Sequence, residues 1–208
     1  MDFYRFAAGH VLAKDLSLTA IEGLSDGALL VLFANGDQQA ARVLTLRLTP
    51  AVLGHAMRLL GDRAEAEDVA QEAMLRLWRI APQWQQDQAK VTTWLYRVVA
   101  NLCTDRLRKM RPMTLDAVDE PVDETASTAE QIQDQIRAQA LQQALNDLPE
   151  RQRQAVVLRH IEGLSNPEIA EIMEISIEAV ESLNARGRRS LSVKLSEKRE
   201  ELGYVDAH

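Results

Sequence analysis

The sequence predicts an all-α protein: two small helical domains joined by a flexible acidic linker, the second a four-helix domain containing a helix-turn-helix. Three observations predict it. Apolar residues recur at intervals of three and four through every long segment, the spacing of a helix face. Aromatic residues make up only 4% of the 208 residues, and Gly is rare inside the long segments. A stretch at 112–127 carries Pro112, Pro121, Asp116, Asp119, Glu120, Asp123 and Glu124 without an apolar stripe, so it divides the chain. With 46% hydrophobic residues there is material for one moderate core or two small ones.

In the first domain, Ser25 caps a short helix that ends near Asn35 and Gly36. Asp37 caps the next, which carries Ala40, Val43, Leu44 and Leu46. Pro50 behind Thr49 predicts a fresh helix start, with that helix running to Leu60 and closed by Gly61. Asp62 and Glu65 have capping-box spacing and open a helix whose Val69, Ala73, Leu77 and Ile80 form the buried stripe. After a loop with Pro82 and Trp84, Thr93 is expected to cap a helix that carries Leu95, Val98, Val99, Leu102 and Leu107 to a basic end at Arg111.

The 16-residue linker, fully extended, reaches at most roughly 50 Å. That is about 15 base pairs of duplex rise. Ser127 and Glu130 then open a domain with helices expected at 128–146, 149–161, 166–173 and 176–195, with Pro149 and Pro167 in first turns. Within it, Ile169, Ala170, Met173, Ile175, Val180 and Leu183 have helix-turn-helix spacing, with Ala170 small where the two helices approach. Ser165 and Glu168 form a capping box for the first of these helices, and Ser176 caps the second, the recognition helix. Such a turn favours Gly after Met173, where this chain has Glu174.

A net charge of −7 argues at first against nucleic acid. Its distribution argues the other way. Between Val91 and Arg111 five basic residues (Arg97, Arg106, Arg108, Lys109, Arg111) face only Asp105, and Arg186, Arg188, Arg189, Lys194, Lys198 and Arg199 face only Glu197. Pro112 to Glu150 holds nine acids against Arg137. Two basic patches are therefore separated by an acidic stretch. On the first patch Trp84, Trp94, Tyr96, Arg97, Asn101 and Arg108 interleave aromatic and basic residues, as a single-strand binder does: rings stack on unpaired bases, Arg holds phosphate, and Asn bonds to base edges.

Other function classes find little support. There is no Gly-rich phosphate loop, no metal cluster and no nucleophile with its base, so the chain is expected to be no enzyme and to use no cofactor. His10, His55, His160 and His208 are scattered, and the lone Cys103, on an apolar helix stretch, is expected to be packed and inert. Residues 1–24 show neither a secretory signal nor a membrane span, so a cytoplasmic protein without membrane contact is expected.

Leu59 to Glu72 (LLGDRAEAEDVAQE), Thr93 to Asn101 (TWLYRVVAN), Leu148 to Arg153 (LPERQR) and Glu162 to Ala170 (EGLSNPEIA) resemble, in order and spacing, successive signatures of extracytoplasmic-function sigma factors. The resemblance covers about residues 25–195. It implies an N-terminal extension (1–24), sigma region 2 (25–111), a linker (112–127), sigma region 4 (128–195) and a C-terminal tail (196–208). It further implies that the face bearing Asp68, Gln71 and Glu72 docks on the clamp helices of the largest subunit of core RNA polymerase, with the flap as a second contact. Trp94 and Tyr96 would help open the minus-10 element, Asn101 would capture a flipped base, and Arg97, Arg106 and Arg108 would hold phosphates.

Ser176, Glu178, Glu181, Ser182, Arg186, Arg188 and Arg189 would meet the minus-35 duplex, and an anti-sigma factor is an expected partner. One departure stands out. Family members commonly carry basic residues just after the position of Val180, whereas here Glu181, Ser182 and Leu183 follow; an acid accepts from cytosine and repels phosphate, so a different minus-35 sequence is expected. Two other readings remain open: a sigma-like decoy that sequesters an anti-sigma factor, and a dimeric helix-turn-helix regulator of duplex DNA.

Overall fold

The computed structural model describes residues 21–85, 90–110 and 129–198. Among them there is no strand. Helices α1 (Asp26–Ala34), α2 (Gln38–Leu60), α3 (Arg63–Ile80) and α4 (Val91–Met110) form the first group. Helices α5 (Ala129–Asn146), α6 (Glu150–Val156), α7 (Asn166–Met173) and α8 (Ile177–Glu197) form the second. A short 3-10 turn (Ala81–Gln83) follows α3, and a π turn (Val157–Ile161) prolongs α6. The linker, Arg111, Ser127 and both chain ends lie outside the described residues.

Side-chain caps set most of the helix starts. Ser25, Asp37, Asp62 and Ser176 each accept from a backbone N–H of the first turn, and at Ser165 both halves of the capping box with Glu168 are present. Gly61 ends α2 with φ 72°, and a Cβ there would meet the Asn146 side chain at 2.5 Å. Only glycine fits both the turn and that approach.

Two expectations are corrected. Pro50 does not start a helix; it lies inside the 23-residue α2. Proline removes one bond to the carbonyl four residues back, here that of Leu46, which is 69% exposed and faces solvent. Buried Val43, Leu44, Leu48, Val52, Ala56 and Leu59 run past the proline on the inner face, so packing outweighs that single bond. Likewise Thr93 is not a cap: α4 begins at Val91 and Thr93 is buried within its first turn. Of the expected α3 stripe, Val69, Ala73 and Leu77 are buried and Ile80 only half-buried.

The two helical groups pack against each other. Leu145, Leu148, Val156 and Val157 of the second join the core built by α1 to α4. Tyr96 of the first joins Ala155, Leu158, Ile169, Ile172, Met173 and Val180 in the helix-turn-helix core. Arg153 crosses this seam while only 8% exposed. Its guanidinium donates to the carbonyls of Leu59, Asn146 (2.7 Å) and Leu148, the C-terminal ends of α2 and α5, where helix dipoles leave partial negative charge. Burial nevertheless pushes its pKa below the ordinary guanidinium value.

Candidate nucleic-acid interface

At about 100° per residue, Trp94, Arg97, Asn101 and Arg108 fall on one face of α4. Asn101 and Arg108 are exposed, Arg97 and Trp94 half-buried. Trp94 meets Trp84 edge to face with ring centroids 6.3 Å apart, which ties the loop after α3 to the start of α4. Tyr96 and Arg106 point elsewhere. Tyr96 is buried against the helix-turn-helix, and Arg106 turns to α3, paired with Glu65 and standing 3.5 Å from Asp68. A predicted phosphate contact and a predicted polymerase contact are therefore each other's partners in this conformation.

Gln71 and Asp68 are exposed on α3, while Glu72 is half-buried and held by Arg76 at 2.9 Å, with Arg79 at 3.7 Å. The Arg76 hydrogen bond lowers the Glu72 carboxyl below its usual range. Between α2 and α3 lies a groove of about 340 Å3 lined by Leu53, Ala70, Met74, Leu75 and Trp78, with Glu67 and Gln71 among its polar edges. Sequence reading singled out Gln71 alone. The groove's lining comes from two helices and has no period of its own, though exposed Leu75 beside Gln71 was a visible signal.

On the recognition helix α8 and its cap, Ser176, Glu178, Glu181, Ser182, Arg186, Arg188 and Arg189 are all exposed. Val180 and Gly187 are the buried positions of α8. A Cβ at Gly187 would stand 2.6 Å from Val156 Cγ2 and 3.3 Å from the Gln152 carbonyl, so this glycine sets how closely α8 lies on α6. The turn before α8 holds Glu174 at φ 53°, the only non-glycine residue with positive φ among the described residues.

Sequence reading did not find the polar contacts across the seam. Glu162, at the end of the π turn, accepts from the Tyr96 hydroxyl at 2.7 Å and lies 3.2 Å from His55 Nδ1 and 3.6 Å from Arg58. His55 is fully buried and its ring lies 4.7 Å from that of Tyr96. Burial pushes the Glu162 carboxyl up, but the bonds from His55 and Tyr96 and the Arg58 charge outweigh it and leave the carboxyl below its usual value. Burial and then Glu162 push the Tyr96 hydroxyl in the opposite direction, upward. At the rim Glu168 binds Lys90 (2.8 Å) and Glu174 binds Arg97 (2.6 Å).

Cys103 is 1% exposed, and burial raises its thiol to about 12, so it stays protonated and unreactive at neutral pH. No group of three His, Cys, Asp or Glu residues that could hold a metal occurs among the described residues, and no described helix is long and apolar enough to cross a membrane.

Comparison with known proteins agrees with this architecture. Residues 44–112 match the Sigma-70 region 2 family and residues 138–191 the Sigma-70, region 4 family. The chain is 33% identical over 172 residues to the RNA polymerase sigma-H factor of Pseudomonas aeruginosa, covering 77% of this chain and 88% of the relative. It is 32% identical to the ECF RNA polymerase sigma factor SigW of Bacillus subtilis, covering 77% and 91%. In structure it resembles CnrH, solved in complex with the cytosolic domain of CnrY, with a TM-score of 0.62, 25% identity and coverage of 83% and 97%. The fold is also that of the sigma factor RpoE of Bartonella quintana, solved with the anti-sigma factor NepR (TM-score 0.58, 23% identity, coverage 73% and 94%). The chain belongs to the extracytoplasmic-function family of RNA polymerase sigma factors, and it directs promoter-specific transcription initiation.

Proposed function

We propose that the first helical group binds core polymerase and the melted minus-10 strand while the second reads the minus-35 duplex, with recognition rather than catalysis as the whole contribution of the chain. The observation that carries this reading is the single face of α4 on which Trp94, Arg97, Asn101 and Arg108 align. An aromatic wedge at one end, an amide in the middle and guanidiniums on either side suit stacking, base-edge bonding and phosphate contact along one strand. Tyr96 and Arg106 lie off that face and act by supporting it.

Core polymerase would dock on α3 through Asp68, Gln71 and Glu72. The apolar groove beside them suits the side chains of a partner helix, because an apolar floor with an acidic and amide rim is how helix-in-groove sites combine affinity with register. The clamp helices of the largest subunit are the proposed occupant, and the flap the proposed contact of the second group. A chain that acts with core polymerase would act in the cytoplasm.

On α8, Glu178, Glu181, Ser182 and Arg189 share the exposed face proposed for the major groove, with Arg186 and Arg188 at its flanks for phosphates. Glu181, toward one edge of that face, favours a cytosine N4 donor. An anti-sigma partner is proposed by analogy with the complexes of the structural relatives.

Permanganate footprinting with purified core polymerase tests the assignment. The wild-type chain should expose thymines at the minus-10 element, and Asn101→Ala should remove that reactivity while leaving polymerase binding intact. Undiminished melting by the variant would overturn the role given to Asn101 and the α4 face.

A further inference from the structure

We infer that the C-terminal segment 199–208 docks, through Leu202, Tyr204 and Val205, on an uncovered apolar face of α5 and so holds the first turns of that helix in place. Exposure and helix phase define the face. Ile132 and Ile136 are 49% and 40% exposed, although they lie in a helix that packs on α8. At about 100° per residue, Ile132, Ile136, Ala140 and Gln143 fall within about 80° of one another around α5. Ala140 is buried, and Gln143 accepts from Lys198, just past the end of α8, at 2.8 Å. The stripe is thus engaged at its C-terminal end and bare at its N-terminal end.

Two bonds fix the direction of α8. Lys194 donates to Asp147 at 2.7 Å and Lys198 to Gln143 at 2.8 Å, so four residues forward on one helix answer to four residues back on the other. The helices are therefore antiparallel, and at Lys198 the chain heads for Ala140, Ile136 and Ile132. Gln143 and Ile132 are separated by about 17 Å of helix rise. In continued helical register Val205 would stand opposite Ile136, and an extended segment, advancing about 3.3 Å per residue, would reach Ile132 as well.

The chemistry of the segment fits. Leu202, Tyr204 and Val205 are its large apolar residues, and the face they would cover carries no charge at Ile132, Gln133, Ile136 or Ala140. Apolar burial therefore drives the contact, and Glu200, Glu201 and Asp206 meet no repulsion from that face. At its flank the amide nitrogen of Gln133 is buried without an acceptor among the described residues, and a carbonyl or carboxylate of the segment would supply one. A second copy of the chain fits less well. Two half-exposed isoleucines fall far short of the roughly 1,000 Å2 that a stable interface between copies needs. A segment tethered at Lys198 needs much less area, because its effective concentration is about millimolar.

The contact has a mechanical consequence. Helix α5 begins at Ala129, where the acidic stretch that joins the two helical groups ends. A residue kept helical there advances about 1.5 Å instead of about 3.3 Å, so loss of the first two turns would lengthen the connection by roughly 13 Å. The docked segment therefore limits the reach of one group from the other.

Amide hydrogen exchange of the full chain, read by mass spectrometry, tests the inference in three versions: wild type, Leu202→Ser/Tyr204→Ser/Val205→Ser, and Ile132→Gln/Ile136→Gln. Glutamine is at least as good a helix former as isoleucine, so the second variant removes the apolar face without weakening α5 itself. The tail variant should speed exchange over 132–139 about tenfold, and the face variant should speed it over 202–206 by a similar factor, with α7 unchanged in both. Raising salt to about 0.5 M should leave wild-type protection intact, because screening acts on charges and this contact has none. Unchanged exchange in α5 when the tail is altered would overturn the inference, as would unchanged exchange in the tail when the face is altered. Wild-type protection of α5 that vanishes on dilution, together with a dimer in sedimentation, would also overturn it by giving the face to a second copy.

Discussion

The hydroxyl of Tyr96 donates across 2.7 Å to Glu162, joining α4 to the π turn of the other helical group over 66 positions of sequence. His55 and Arg58 approach the same carboxylate from α2, so one acid ties three elements together. With its pKa held below the ordinary 4.5, Glu162 stabilises the closed form fully above that value.

Acid should therefore open the seam. Glu168 has its carboxyl lowered to about 2 by Lys90 and by both Ser165 bonds, and it acts in the same direction. For a depressed carboxylate, stabilisation is present above the unfolded pKa and is lost as pH falls through the folded value. The radius of gyration should stay constant from pH 7 to 5 and rise as pH falls below 4.5 toward 2, before or together with loss of helix. Constant dimensions down to pH 2 with helicity retained would contradict the closure described.

Glu174→Gly should separate strain from contact. Removing the side chain relieves a left-handed conformation costing about 1 kcal/mol, so the helix-turn-helix should become more resistant to urea by about that amount. The same change deletes the Arg97 partner and should loosen the seam. Urea denaturation followed by circular dichroism, with scattering beside it, reads both effects. A destabilised helix-turn-helix would contradict the strain argument.

Gly187→Ala should have the opposite sign from its helix propensity. Alanine favours a helix interior by about 1 kcal/mol. The new methyl would meet Val156 Cγ2 at 2.6 Å with the Gln152 carbonyl behind it, and relieving that overlap should cost about 1–3 kcal/mol. A lower urea midpoint with wild-type slope is expected; an unchanged or higher midpoint would show that α6 and α8 separate freely.

Leu75→Glu probes the groove between α2 and α3. Leu75 is 43% exposed, so the fold should be unaffected within about 0.5 kcal/mol. Affinity for core polymerase should fall at least tenfold, which corresponds to about 1.4 kcal/mol. Fluorescence titration of labelled core measures it, and unaltered affinity would place the docking surface elsewhere.

Much of the local structure was legible because its causes are local. Ser25, Asp37, Asp62, Ser165 and Ser176 cap from the positions their spacing predicts, and the wedge of Ile169, Met173 and Val180 is buried as expected. Pro50 and Thr93 misled for one reason: each is a local signal overridden by burial that continues past it, along α2 in one case and into the first turn of α4 in the other. The seam had no sequence signal. His55 and Glu162 are 107 positions apart, and nothing in the residues around either names the other. The face of α4 was legible in its residue types, but only the helix phase shows that Tyr96 and Arg106 leave it.

Run-off transcription with purified core polymerase on a promoter library tests the central claim most directly. The account predicts transcripts that require both core and this chain, initiate downstream of two shared sequence elements, and decline sharply for Arg97→Ala and Asn101→Ala. Failure of the chain to associate with core, together with no initiation from any template, would contradict it.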